Sequence, residues 1–240
     1  MLMQSDIAIT LRPRIPILPP LMKATHEPFF SIILATYNRA YCLENAVVSV
    51  IRQSFTSWEL LIVDDGSMDH TPELLKNFAS LDKRIRVFRQ TNQGPARARN
   101  FAIQKARGIY LAFIDSDDAY TTDHLESRLE ILARDPSIDF LYGGMKIEGD
   151  PRVPDRDDPS RLVNLEELGI PVTGTFIVRR DAARCIGGFP EVGYSEDGLF
   201  LELAKKSGLS TRSVQNQTYL YNRGSVDSIC TQLMKRQAIQ

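Results

Sequence analysis

Cysteine and histidine are scarce in this chain, and each scarcity removes a class of function. The three cysteines, Cys42, Cys185 and Cys230, stand far apart. They form no disulfide framework and no zinc spacing, which predicts a reducing, cytoplasmic setting. The three histidines, His26, His70 and His124, include no pair at ligand spacing. They are read as surface residues, with no support for a histidine-activated serine or cysteine nucleophile. Excess charge is also missing: 29 basic residues meet 30 acidic ones, for a net charge of -1. That balance gives no drive toward nucleic acid or an anionic membrane. No run of about 18 apolar residues is present, so no spanning helix is expected. The opening "MLMQSDIAITLRPRIPILPPLMKATHEP" is broken by Arg12, Arg14 and four prolines before Leu21. It makes a poor secretory signal and is expected to be a proline-rich arm over residues 1–28.

What remains is a chain of 240 residues, 43% hydrophobic, enough for one sizeable core over residues 29–240. Its first half alternates. "FFSIILATY", "WELLIVDDGS", "RIRVF" and "IYLAFI" read as buried strands, and helical patterns separate them. Thr71 is expected as an N-cap with Pro72 behind it, and Gly108 as the stop of a helix opening at Gly94-Pro95. Such alternation predicts an α/β fold with a mostly parallel sheet covered on both faces. Beyond residue 120 the alternation loosens. "TDHLESRLEILA" reads as a helix and "IDFLYGG" as a strand. Residues 149–161 are expected to be an exposed loop, "TGTFIVRR" a strand, and "EDGLFLELAKKSG" a helix after a Gly187-Gly188 turn.

Three strand ends carry polar groups: Thr36-Tyr37-Asn38, Asp64-Asp65-Gly66-Ser67 and Asp115-Ser116-Asp117-Asp118. In open parallel sheets ligands bind beyond the carboxyl ends of the strands, so these clusters are expected along one edge. Three carboxylates within four residues repel one another, and a cation, a turn or water must offset this. A calcium loop counted from Asp115 fails, because its sixth place is Tyr120 and not glycine. A dinucleotide site fails too, because the first strand runs into "TYNRAYC" with no glycine-rich turn, and no P-loop lysine is present. Hard oxygen ligands suit Mg²⁺ or Mn²⁺ with a diphosphate, and Arg97 and Arg99 are candidates for nearby positive charge.

Four segments, "SIILATYNRA", "WELLIVDDGSMDHT", "GPARARNFAIQKARGIYLAFIDSDD" and "GGFPEVGYSEDGLFLELA", occur in the order and spacing of family 2 glycosyltransferases of the GT-A fold. The chain resembles that family over about residues 29–228. The resemblance implies one GT-A domain with a nucleotide-sugar half, 29–120, and an acceptor half, 121–240. It implies that Tyr37 packs against the base and that Asp65, with Asp64, hydrogen-bonds the uracil. Arg99 matches the arginine of the family's Ala-Arg-Asn segment. Asp115-Ser116-Asp117 resembles the Asp-X-Asp motif, with Asp115 near the ribose and Asp117 binding Mn²⁺ or Mg²⁺. "SEDGL" resembles the family's Glu-Asp pair, which makes Asp197 the general base beside Glu196. Read without the family, Ser195 or Glu196 is simply a helix cap. "YNRGSVDS" resembles a closing loop that brings Arg223 and Ser225 to the diphosphate.

The implied activity is inverting transfer from a nucleotide-diphosphate sugar, UDP-linked by preference, to a hydroxyl of a saccharide or lipid-linked acceptor. A lipid-linked acceptor implies membrane contact at the inner face. The rival readings are a sugar nucleotidyltransferase, a non-catalytic nucleotide-sugar-binding module, and an assembly subunit working through the arm.

Overall fold

The computed structural model describes residues 27–169, 171–224 and 231. Residues 1–26 of the arm, with His26, and the residues Ser225 and Cys230 lie outside the described residues. The elements begin with β1 (Phe30–Thr36), α1 (Leu43–Ile51), β2 (Trp58–Asp64), α2 (Thr71–Leu81), β3 (Ile85–Arg89), α3 (Pro95–Lys105) and β4 (Tyr110–Phe113). They continue with β5 (Ala119–Tyr120), α4 (His124–Arg134), β6 (Phe140–Tyr142), β7 (Met145–Glu148), β8 (Arg152–Pro154), β9 (Leu162–Asn164) and α5 (Leu165–Leu168). A 3₁₀ turn over Thr173–Thr175 precedes β10 (Ile177–Arg179), α6 (Arg180–Cys185), α7 (Glu196–Lys206), β11 (Thr211–Ser213) and β12 (Tyr219–Asn222).

A seven-stranded sheet runs β11-β6-β10-β4-β1-β2-β3. All of it is parallel except β10, which is antiparallel to both β4 and β6. The central strands are continuous apolar runs because both faces are covered. Ile32, Leu34, Leu60 and Ile62 join one core cluster with residues of α1, α2 and α4. Ile33, Leu61, Val63, Leu111 and Phe113 join a second with residues of α3, α6 and α7. One-residue alternation along each strand therefore fills two cores at once. A smaller sheet, β5-β12-β7, is joined to the first by the short turn after β4.

Several local expectations need correction. Thr71 is the first helical residue and not the cap; its N–H donates to Asp69 Oδ1, and its hydroxyl accepts from Arg39 N. Helix α3 ends at Lys105, short of Gly108. Gly108 instead permits a close approach, since a Cβ there would lie 2.5 Å from Ser31 N. Residues 149–161 are not all exposed loop: β8 and β9 form an antiparallel hairpin, and Val153 packs into the core. The first three residues of "TGTFIVRR" are a 3₁₀ turn, with the Thr175 hydroxyl donating to Val172 O at 2.7 Å. His124 is buried and stacked on Tyr120 with ring centroids 3.9 Å apart. Its Nδ1 lies 2.9 Å from Thr218 Oγ1, and burial followed by the charge of Arg128 pushes its pKa well below the usual range.

Candidate active site

The sheet order brings three chemistry-bearing strand ends together. β1 lies between β2 and β4, and Thr36 sits opposite Asp64 in register. Their polar ends open into a cavity of about 500 Å³. Tyr37, Asp65, Asp115 and Asp117 line it from the first half of the chain. Arg99, from the first turns of α3, reaches it as well. Glu196, Asp197 and Arg223 line it from the second half. Eight of the ten residues that the resemblance assigns to the site thus share one cavity. Ser225 lies outside the described residues, and the one described exception is Asp64. Its carboxylate is buried behind the lining, where Oδ1 accepts from Ser67 N at 2.9 Å and Oδ2 lies 3.6 Å from Arg89 Nε. Arg97 is not among the lining residues; it is exposed and pairs with Glu191 at 2.7 Å.

The loops after β1 and β2 clasp each other. Asn38 adopts a left-handed backbone, φ 53°, uncommon for a non-glycine residue. Its side-chain oxygen accepts from Met68 N at 2.8 Å, and its N–H donates to Ser67 Oγ at 2.8 Å. This clasp fixes Tyr37, which stays 40% exposed at the rim. Asp65 points to the loop before α3: Oδ1 accepts from Gln90 Nε2 and Gln93 N, and Oδ2 accepts from Gly94 N at 2.8 Å. Three of the roughly four acceptor positions of a carboxylate are thereby used, and one is left for a ligand donor. Gly66, at φ +85°, is required here, because a Cβ would lie 3.0 Å from Asn92 N.

The turn over residues 115–118 resolves the crowding of carboxylates by splitting them. A turn closes with Asp118 N donating to Asp115 O at 3.2 Å. Asp115 and Asp117 line the cavity, whereas Asp118 is buried. Asp118 accepts from the Tyr219 hydroxyl and, at 2.8 Å, from Asn222 N. Burial, then the charges of Asp115 and Asp117, push its pKa well above the usual carboxylate range. Its neighbour Asp115 is met by Arg99 at 2.8 Å.

Arg99 is the link between the halves. Its Nη2 donates to Asp115 Oδ1 and its Nη1 to Glu196 Oε1 at 2.7 Å. Burial pulls the guanidinium's pKa down, but the two carboxylates outweigh it and the net shift is upward. Asn100 follows and grips the turn before α7: Nδ2 donates to Phe189 O and Oδ1 accepts from Phe189 N, both at 2.8 Å. A Cβ on Gly188 would collide with that amide at 2.3 Å, so this turn requires glycine. Ser195, in left-handed backbone with φ 60°, precedes α7 and makes no side-chain cap. The capping reading of this segment therefore fails for Ser195. Asp197 in the first turn of α7 accepts from Gly198 N at 2.7 Å. Burial, then the charge of Glu196, push its pKa up to about 6. A carboxylate so placed suits proton abstraction near neutral pH.

Another part of the lining is largely apolar. It consists of Val153, Pro154 and Val163 from the β8–β9 hairpin, with Leu165 and Val172, and the hairpin adds one cation, Arg156. No group of three metal-ligating side chains occurs among the described residues. Asp115 and Asp117 are nonetheless hard oxygen donors at the cavity, a set that fits Mg²⁺ or Mn²⁺ completing its shell from phosphates and water. Sequence reasoning placed Asp118 and Asn38 in the polar strand-end clusters without a role of their own, and it missed Asn100, whose contact partner lies 89 residues away. No helix among the described residues is long and apolar enough to cross a membrane.

The family model described as Glycosyl transferase family 2 matches residues 31–187. An uncharacterized glycosyltransferase from Haemophilus influenzae is 32% identical over 186 residues, covering 75% of this chain and 73% of that protein. The Escherichia coli UDP-Glc:alpha-D-GlcNAc-diphosphoundecaprenol beta-1,3-glucosyltransferase WfgD is 37% identical over 120 residues, 49% of this chain and 46% of that one. Among solved structures, Staphylococcus aureus TarS 1-349 in complex with UDP-GlcNAc superposes with a TM-score of 0.70 at 22% identity, covering 88% of this chain and 65% of that one. The mannosyltransferase PcManGT from Pyrobaculum calidifontis, in complex with GDP-Man and Mn²⁺, gives 0.64 at 23% identity, covering 82% and 57%. These likenesses establish the GT-A arrangement of the mixed α/β sheet.

Proposed function

The chain belongs to glycosyl transferase family 2 and is a glycosyltransferase; from that premise we propose that it is an inverting enzyme using a UDP-sugar donor and a lipid-linked saccharide acceptor. The observation that carries this reading is the Asp115–Arg99–Glu196 ion-pair chain, buried at Arg99 and Glu196, which links the Asp-X-Asp turn to the start of the helix that bears Asp197 in one cavity. Tyr37 packs against the base and Asp65 accepts from it. Asp117 holds a divalent cation, and Asp115 orients the ribose side of the donor. A bound Mn²⁺ or Mg²⁺ supplies Lewis-acid neutralisation of the departing diphosphate. Asp197 takes the proton from the acceptor hydroxyl as that oxygen attacks the anomeric carbon from the face opposite the diphosphate. One displacement converts an α-linked donor into a β-linked product. Arg223 borders the diphosphate.

Residues 29–120 form the donor half and the rest the acceptor half, with the hairpin wall shaping the acceptor site. Support for the donor comes from the UDP-GlcNAc and GDP-Man complexes of structural relatives, and for the metal from the Mn²⁺ of one of them. Support for a lipid-linked acceptor, and so for work at the inner membrane face, comes from the diphosphoundecaprenol in WfgD's name. The chain spans about half the length of WfgD, so its own substrates rest on experiment. The test is donor hydrolysis across UDP-, GDP- and dTDP-sugars with Mn²⁺. Hydrolysis of a UDP-sugar that stops on adding EDTA is expected. Binding without hydrolysis or transfer would point to a non-catalytic module, and preference for GDP or dTDP would remove the uracil assignment.

A further inference from the structure

Outside the proposed reacting groups, Asp118 and Tyr219 form a buried polar pair bonded to residues that line the cavity. Tyr219 is fully buried, 0% exposed. Its ring lies directly on Gly174, where a Cβ would meet the ring at 1.9 Å. It also stands edge-on to Tyr120, with centroids 5.9 Å apart. Its hydroxyl donates to Asp118 Oδ2 and lies 3.4 Å from the Asp115 N–H, which donates to it. Asp118 also accepts from Asn222 N, and Asn222 Nδ2 donates to Asp117 O at 3.2 Å. All three residues of the Asp115-Ser116-Asp117-Asp118 turn that carry carboxylates are therefore bonded, through backbone or side chain, to the strand β12. The residues that end and follow β12, Tyr221, Asn222 and Arg223, line the cavity. β12 is itself paired with β5, the strand that starts one residue after Asp118.

We propose that Tyr219 and Asp118 form a latch that positions the Asp115–Asp117 turn and the Tyr221–Arg223 wall as one unit, so that ordering of either by a diphosphate orders the other. Both are positioning residues, and the proposal rests on the reading that this turn faces the donor diphosphate. The latch also explains why the third carboxylate, that of Asp118, faces inward. Without donors from β12 its burial costs several kcal/mol, and it would compete for the cation. With them, the cavity keeps two carboxylates at a fixed separation.

The experiment uses the full chain with Tyr219→Phe, Asp118→Asn and, as a control for loss of a buried hydroxyl remote from the cavity, Tyr110→Phe. Tyr110 donates to Ile138 O, away from the site. Amide hydrogen exchange is followed without ligand. Tyr219→Phe should speed exchange at 115–118 and at 219–224 together, and Tyr110→Phe should speed neither. If Tyr219→Phe fails to fold, Asp118→Asn, which retains the oxygen that accepts from Asn222 N, gives the same reading in milder form. Exchange that changes in only one segment, or in neither, overturns the latch. Calorimetry with UDP and MnCl₂ then reads its consequence. Affinity should fall about tenfold in Tyr219→Phe, the scale of one hydrogen bond to a charged group, and stay unchanged in Tyr110→Phe. Unchanged affinity in Tyr219→Phe overturns the positioning role. If UDP does not bind the unaltered chain, the donor assignment falls, and the exchange result still decides the latch.

Discussion

At the level of single residues, Asp197 has the most to say. In the folded protein its pKa is about 6, above the ordinary 3.8. As the proposed base it must be deprotonated, so kcat/KM for transfer should rise with pH through about 6 and level off above it. Asp197→Asn should abolish transfer while leaving nucleotide binding intact by calorimetry; surviving turnover would sink the assignment. The same shift has a stability counterpart. Because the folded state holds this proton more tightly than an unfolded chain, the contribution of Asp197 to stability is full below pH 4 and is lost as pH rises through about 6. Asparagine has no charge to bury and can still accept from Gly198 N. Asp197→Asn should therefore melt higher at pH 8, by on the order of 1–3 kcal/mol, with the gain vanishing near pH 4. The position of this aspartate was legible from the Glu-Asp pair and the glycines before it. Its unusual proton affinity was not, because that depends on burial and on Glu196, which only the folded arrangement places.

At the level of elements, helix α3 does more than cover the sheet. Its residues 99 and 100 reach the turn after β4, the turn before α7 and the first residue of α7 itself. Arg99→Met leaves Asp115 and Glu196 without their shared cation. Urea unfolding should show a loss of about 3 kcal/mol, the scale for breaking one side of a buried ion pair. Arg99 also lowers the pKa of Asp197, so the acid limb of the pH profile should move above 6 in this variant. A limb that stays in place would separate the guanidinium from the base. From sequence, Arg99 reads as a cation available to a ligand. The structure makes it a bridge, since its carboxylate partners come from residues 16 and 97 positions away. Contacts at such separation leave no periodic trace.

At the level of the whole molecule, the halves of the cavity differ in character. The acidic side is built by strand ends of the main sheet, and the apolar side by the β8–β9 hairpin and the segment after it. Replacing residues 152–164 by a short turn should therefore keep donor hydrolysis and lose transfer to acceptor. Loss of both would tie the hairpin to the donor site. The parallel half of the fold was legible because β1, β2 and β4 are largely apolar runs and the helices between them are periodic. The second half was less so: the hairpin hides in a charged, proline-rich stretch, and a 3₁₀ turn replaces the first three residues of an expected strand. In both places, packing against Val172, Leu165 or Tyr219 decides the backbone, and local preference does not.

The lone reversed strand β10 has a bearing on how the chain is made. As the polypeptide emerges, β1 through β4 can zip up in order, but one flank of Tyr110–Phe113 stays bare until Ile177 has been added. That flank carries the greasy stretch "YLAFI", an inviting template for stray strands. A transcript cut short between these points would yield a fragment with its parallel strands paired and a sticky seam, prone to clump rather than persist.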